Sequence, residues 1–278
     1  MSTKKNVGIV AASGSVAAAA ALLFSAIDPG PAIHPDLYCL AGIPASTNTI
    51  TMLANQGYMA GYSESRGSPL WVCYRLDKTD TDKAPPRPSG FKADNRTESR
   101  INSDDYTNTG YDRGHMAPNY GIGLVYGAKA QRETFLMSNV IPQKPALNQG
   151  LWRNLEASAV LDLAREKDGL WVITGPVYTT GARIAGTDRR LLPWTKKSVY
   201  TTGARIAGTV EIPAACYKIL VWDEDGLHAA AFMVPQGVDR SAKAQDFKVS
   251  IDEIEAATGF DFFAGLPDEV ENELEGKP

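Results

Sequence analysis

Apolar residues recur along this chain mostly in short runs with the character of strands. Leu70–Leu76, Leu170–Tyr178, Tyr217–Trp222 and His228–Val234 are rich in Val, Ile, Leu and aromatic residues, and each predicts a strand. A short apolar stretch inside Glu133–Ile141 predicts another. The period changes between Asn148 and Lys167. There Leu151, Trp152, Leu155, Ala159 and Leu163 fall three or four residues apart, and Gly169 stops the run, so a helix is predicted. Ser250-Ile251-Asp252-Glu253 is a capping box, in which the Ser and Glu side chains satisfy each other's orphan amides. It opens a further helix that ends near Gly259. Thr79–Asn108 is polar and, with Pro85, Pro86 and Pro88, reads as loop. Strands and helices without strict β-α-β alternation predict an α+β fold.

The N-terminus breaks this pattern. Lys4 and Lys5 precede an uncharged, Ala- and Val-rich stretch from Asn6 to Ile27, the layout of a signal peptide. The residues before Asp28 offer no clean small-x-small cleavage site, and about 21 residues is also long enough to cross a bilayer. Residues 1–32 are therefore expected to be a signal peptide or membrane signal anchor plus a Pro-rich linker. Residues 7–27 would make the membrane contact, and residues 33–267 would form the folded domain. The protein is expected to be exported: periplasmic, secreted, or anchored facing the non-cytoplasmic side.

Charge refines the picture at two places. The 278 residues carry a formal net charge of -4, and the tail 268–278 accounts for all of it with five acids and one Lys. That acidic tail would repel nucleic acid or be disordered. Any basic surface must be local, and Lys83, Arg87, Lys92, Arg96 and Arg100 are the candidates, either as a patch or as a plain solvated loop. The three cysteines, Cys39, Cys73 and Cys216, allow one disulfide with one thiol left over, without saying which pair forms. Their spacing is too dispersed for a zinc site. An eleven-residue segment, VYTTGARIAGT, occurs at both 177–187 and 199–209. This tandem copy predicts an extended hairpin or loop beside the 170–178 strand, with Arg183 and Arg205 as its two charged positions.

Chemistry concentrates in Tyr111-Asp112-Arg113-Gly114-His115-Met116-Ala117-Pro118-Asn119, which holds one of the chain's three histidines. Phosphodiester hydrolysis needs a base that is neutral near pH 7, and histidine suits that. It also needs a fixed positive charge for phosphate oxygens, which an arginine fork provides. Downstream, Met137-Ser138-Asn139 leads to Pro142-Gln143 and then to Leu147-Asn148-Gln149-Gly150-Leu151-Trp152, with Glu156 after it. Asn148 stands where a helix N-cap would, which by itself is reason enough for an Asn there; the alternative is a metal ligand through its amide oxygen.

Taken together these motifs resemble the DNA/RNA non-specific endonuclease family, of the ββα-metal (His-Me finger) superfamily, to which the endonuclease G-like enzymes also belong. Thr174-Gly175-Pro176-Val177, Ile212-Pro213 with Tyr217-Lys218, and the segment from Ile254-Glu255 to Leu266-Pro267 look like the family's later elements. The resemblance implies a central, mainly antiparallel sheet flanked by helices, with a ββα-metal finger as the active site. It implies a magnesium-dependent endonuclease, with manganese as an alternative ion, cutting DNA and RNA without sugar or sequence preference. His115 then matches the general base, Asn148 the single protein ligand of the metal, and Glu156 a residue that holds the metal's waters. Arg113 matches a phosphate-contacting arginine. Arg87, with Phe91 and Asp94 after it, matches an upstream arginine that steadies the transition state. Asp112 and Asn139 take supporting roles, and a homodimer is one arrangement the resemblance allows. The competing expectation is a membrane-anchored nucleic-acid-binding or partner-binding protein without turnover, for which a general base would have no use.

Overall fold

The computed structural model describes residues 35–79, 83–178 and 203–277. The expected signal or anchor segment, most of the Pro-rich linker, the first repeat copy beyond Tyr178, Arg183 and the start of the second copy lie outside the described residues. No helix among the described residues is long and apolar enough to cross a membrane.

Strands β1 (Thr51–Asn55), β2 (Tyr58–Ser63) and β3 (Ser68–Leu76) form an antiparallel meander. It continues through β6 (Leu170–Val177), β9 (Ala215–Asp223), β10 (Leu227–Pro235) and β11 (Lys248–Val249) into one seven-stranded sheet, antiparallel at every pairing. The polar loop, the 70–76, 170–178, 217–222 and 228–234 strands and the Ser250 capping box stand where the pattern placed them. Helix α3 (Ile251–Thr258) carries that box, with Ser250 Oγ accepting the Glu253 N–H at 3.2 Å, and stops at Gly259 in the left-handed conformation (φ 74°).

Both faces of the sheet are covered, which explains why its central strands are apolar almost throughout. In β9 the odd positions Tyr217, Ile219 and Val221 join Trp71, Cys73 and Ile173 against the C-terminal segment of Ile251, Ile254, Phe262 and Phe263. The even positions Cys216 and Leu220 join Val72, Tyr74 and Val172 on the other face, under Met116, Ile122, Ile141, Leu147 and Trp152. That second face carries the finger. Its parts are the ribbon β4 (Asp112–His115) and β5 (Val140–Gln143), helix α1 (Asn119–Glu133) between them, and the helical segment from Leu147 to α2 (Leu161–Glu166).

Four expectations are corrected here. The Glu133–Ile141 strand is displaced: α1 runs to Glu133, a tight turn occupies Met137–Asn139, and the strand is Val140–Gln143. The Asn139 N–H closes that turn on the Leu136 carbonyl at 2.9 Å, so the stretch before Val140 does not run as a strand. The 148–167 helix is not regular. Wide helical turns at Leu147–Trp152 and Leu155–Val160 precede α2, and Gly150 departs from helical geometry at φ -106°, ψ -111°. Asn148 is not the N-cap, because Ala146 holds that position. The acidic tail is a helix, α4 (Asp268–Glu275), which buries Leu274 and Glu275. The described end of the second repeat copy forms the small hairpin of β7 (Arg205–Ile206) and β8 (Val210–Glu211). Ile206 and Val210 back the finger, packing with Val140, Met137, Ile101 and Tyr106.

Candidate active site

The ribbon is pinned to the rest of the molecule at both strands. Gly114 pairs with Ile141, and a Cβ on Gly114 would overlap the Gln143 side chain, so only glycine admits this approach. Gln143 Nε2 in turn donates to Cys216 Sγ on the sheet at 3.3 Å. Gln236, at the end of β10, donates through Nε2 to the Pro142 carbonyl at 2.6 Å and accepts the Lys144 N–H at 2.8 Å. Asn139 is fully buried and clamps the chain just after His115. Its Oδ1 accepts the Ala117 N–H at 2.9 Å, and its Nδ2 donates to the Ala117 and Thr134 carbonyls at 3.0 and 2.9 Å. A second anchor is the buried Asp94, which accepts from Ser138 Oγ at 2.6 Å and pairs with Arg96 at 2.7 Å.

Strand β4 begins at Asp112 and ends at His115, and each end gathers its own partners. At the first, Asp112 Oδ2 accepts from Asn148 Nδ2 at 2.9 Å and from Gln149 Nε2 at 2.8 Å. Tying down the nitrogen of the Asn148 amide fixes which way its oxygen looks, and among the described hydrogen bonds that oxygen accepts none. The group is thus presented as a neutral oxygen donor, the type a hard divalent cation takes.

At the second, His115 sits between Phe91 and Phe135, with ring centroids 5.0 and 4.9 Å away. Its Nε2 is buried without a hydrogen-bond partner. Burial first, and the Arg87 guanidinium second, pull the imidazole from its usual 6.5 to about 3. Although the residue as a whole keeps a partly exposed rim, both causes act in the same direction, so the ring is neutral at pH 7. Arg87 is exposed and stacks over the Phe135 ring at 4.9 Å. The Lys92 N–H to the Phe135 carbonyl (3.0 Å) and the Met137 N–H to the Lys92 carbonyl (2.8 Å) hold its loop against this aromatic stack.

Arg113 is less free than the sequence suggested. Its Nε and one terminal nitrogen donate to the Ser103 carbonyl, that nitrogen also reaches Thr107 Oγ1 at 3.2 Å, and the guanidinium lies 5.8 Å from the Tyr106 ring centre. The basic run is also partly consumed, since Arg96 serves Asp94 and Arg100 donates to Asn95 Oδ1 at 2.7 Å.

Glu156 has a partner that sequence reasoning missed. Lys218 Nζ lies 3.3 Å from Glu156 Oε1, 3.5 Å from the Tyr74 hydroxyl and 4.6 Å from the Trp152 ring centre, and Lys218 is 0% exposed. Burial pushes the Glu156 carboxyl up and the Lys218 ammonium down, and each one's charge opposes the other's shift. The available signal was a Lys at an inward position of an otherwise apolar strand, where only a buried partner can keep it. Asp94 and Gln236, which hold the finger in place, were equally silent as site residues.

The structure thus gathers Asp112, Asn148 and Gln149 at one end of β4, and His115 and Arg87 at the other, with Arg113 turned toward Ser103–Thr107. Glu156 joins the sheet through Lys218. No hydrogen bond links His115 to Asn148 among the described residues; β4 connects them through Asp112. The three thiols are free and buried. Cys39 and Cys73 face each other closely enough to hydrogen-bond, and Cys216 belongs to the finger's contact with the sheet.

Comparison with known proteins matches this arrangement to one family. The profile of the DNA/RNA non-specific endonuclease family matches residues 41–269. A nuclease of Serratia marcescens is 30% identical over 276 residues, covering 94% of this chain and 93% of that protein. The mitochondrial endonuclease G of Homo sapiens is 28% identical over 222 residues, covering 77% of this chain and 69% of that protein. Among solved structures, a chain from a crystal structure of an EndoG/EndoGI complex superposes with a TM-score of 0.71 at 25% identity, covering 87% of this chain and 96% of that one.

Proposed function

This chain belongs to the DNA/RNA non-specific endonuclease family and is therefore a phosphodiester hydrolase acting on nucleic acid, and on that premise we propose that it is a magnesium-dependent enzyme in which His115 is the general base and Asn148 holds the metal. The observation that carries the reading is the pairing of a neutral, unpartnered His115 Nε2 with an Asn148 amide whose nitrogen is tied to Asp112 on the same ribbon.

The donor set fits a reluctantly dehydrated ion. One amide oxygen suffices where magnesium keeps most of its water, and among the described residues no trio of His, Cys, Asp or Glu gathers at the finger to hold a metal more tightly. Asn148 would hold the ion through Oδ1, and Glu156 would hold waters around it. When bound, the metal neutralises charge on the phosphate. His115, neutral and clamped between Phe91 and Phe135, accepts the proton of the attacking water at Nε2. Base catalysis of this kind contributes roughly 10²- to 10⁴-fold. Arg87 brings a positive charge beside the base, where phosphate oxygens gain charge in the transition state. Arg113, fixed on Ser103, meets the phosphate with its remaining terminal nitrogen. Asp112 and Asn139 keep the amide and the base in place. Contacts of this kind go to phosphate and sugar rather than to base edges, which fits cleavage of DNA and RNA alike.

The same reading extends to the rest of the chain. Residues 33–267 form the nuclease domain, and residues 1–32, with their lysines and apolar run, direct export or tether the protein facing the non-cytoplasmic side. Incubation of the purified protein with plasmid DNA and with RNA, with and without magnesium, beside His115→Ala and Asn148→Ala, tests the catalytic assignment. Cleavage of both substrates only with metal, and its loss in both variants, is expected. Cleavage by His115→Ala equal to wild type would remove His115 from the role.

A further inference from the structure

The opposite face of the sheet carries a second feature that the nuclease site does not use. Helices α3 and α4 pack there with acidic positions facing one another. Asp252, Glu255 and Glu275 each bring a carboxylate oxygen to within 4.8 Å of the others. Two oxygens that each lie about 2.4 Å from one calcium ion can be up to about 4.8 Å apart, so a single ion can bridge this span. The end of α4 lies close against Asp252, because a Cβ on Gly276 would stand 3.9 Å from Asp252 Oδ2.

The second observation is Glu275 itself. The residue is 6% exposed, and its Oε1 is buried with no hydrogen-bond partner. A carboxylate oxygen left in that state is costly unless a cation or a proton satisfies it. No base does so. The charged groups that act on Glu275 are Glu255, Glu271, Asp252 and Asp261, while the nearby Lys277 pairs with Glu273 at 2.9 Å. Glu275 also sits in the last turn of α4, where the helix dipole favours positive charge. Glu255 already uses Oε1 to accept the Phe262 N–H at 2.8 Å, which fixes its carboxylate and leaves the other oxygen for a ligand.

We propose that Asp252, Glu255 and Glu275 form a calcium site that fastens α4 to α3, on the face of the sheet away from the nuclease centre. An all-carboxylate donor set selects a hard cation, and calcium tolerates the irregular geometry that two packed helices impose. Burial and the neighbouring carboxylates push the Glu275 carboxyl up to about 8, the direction expected of acids gathered without a counter-charge. The ion would supply that charge, and α4, whose only other buried residue is Leu274, would depend on it for docking.

Calorimetric titration of the EDTA-treated full-length protein with calcium chloride, in parallel with thermal melting, tests this. Wild type and Asn148→Ala are both expected to bind one calcium ion. At a hundredfold excess over Kd, the melting midpoint of each should rise by roughly 5 °C or more. Glu275→Gln should lose at least tenfold in calcium affinity and most of the calcium-induced melting shift, with nuclease activity unchanged. Asp252→Asn, at an exposed position that tolerates change, should do the same and guards against misfolding of the Glu275 variant. Absence of calcium binding by Asn148→Ala, or calcium-induced shifts in both carboxylate variants equal to wild type, would overturn the proposal. So would a calcium-insensitive protein that melts higher at pH 6 than at pH 8, since the cluster would then be held by shared protons.

Discussion

The two faces of the central sheet are made by the same strands and do different work. In β9, Tyr217, Ile219 and Val221 meet an apolar layer of Phe262, Phe263 and Ile254, where burial alone holds the contact. One residue out of register, Cys216 receives Gln143 and Lys218 meets Glu156. The finger face thus holds buried polar groups paired with specific partners, while at these positions the other face is apolar volume. Apolar packing tolerates some repacking, but a buried charge deprived of its partner does not. The proposed active site lies on the less forgiving side, where polar pairing fixes orientation as burial alone does not.

The largest expected separation between the faces is catalytic. His115→Ala should cut kcat/KM by roughly 10²- to 10⁴-fold while the melting midpoint stays near wild type, as steady-state cleavage and calorimetry would show. Asn139→Ala tests the scaffold beneath it. Losing the clamp strands the Ala117 N–H and the Ala117 and Thr134 carbonyls, so a destabilisation of about 3 kcal/mol in urea is expected, with reduced activity.

A pair of substitutions in adjacent positions of β9 sharpens the comparison. Lys218→Met and Ile219→Ala should each destabilise by about 3 kcal/mol, the first by leaving Glu156 buried without its cation, the second by opening a cavity. Only Lys218→Met should also lower kcat/KM. Equal kinetics for the two variants would place the Glu156–Lys218 pair outside the active site.

The smallest effect expected is a change in pH profile. His115 is neutral above about 3 when folded and above about 6.5 when unfolded. Between those values the unfolded chain binds a proton that the folded chain refuses, so this group makes stability fall as pH drops from 6.5 toward 3. Activity that depends on neutral His115 should therefore persist below pH 6.5. Arg87→Ala removes one of the two causes of the depression, so the acid limb of kcat/KM should move upward. An unmoved limb would separate Arg87 from the base.

Much of this was legible in the sequence where one local signal decided the outcome. The Ser250 box and Gly259 fixed α3, and the apolar runs fixed β3, β6, β9 and β10. Asp112, His115 and Asn148 stood out through motif order. Strands β1 and β2 escaped notice because Thr51–Asn55 and Tyr58–Ser63 mix small and polar residues with aromatics and show no clean alternation. Helix α1 escaped because Gly121, Gly123 and Gly127 weaken its pattern; only tertiary packing makes it a helix. The Lys218–Glu156 pair and the Gln236 bridge span 62 and more than 90 residues, and no local pattern announces contacts of that range.

The Gln236 bridge has a consequence in time. Its two hydrogen bonds reach back 92 and 94 residues to hold the strand opposite His115. During synthesis the finger emerges from the ribosome long before the glutamine that stitches it down, and contacts of such range form late in folding. A nascent chain that already contains His115, Asn148 and Glu156 is therefore expected to be inactive. A chain ended at residue 230 should cleave neither DNA nor RNA, so the enzyme would spare the messenger and the ribosomal RNA beside which it is made.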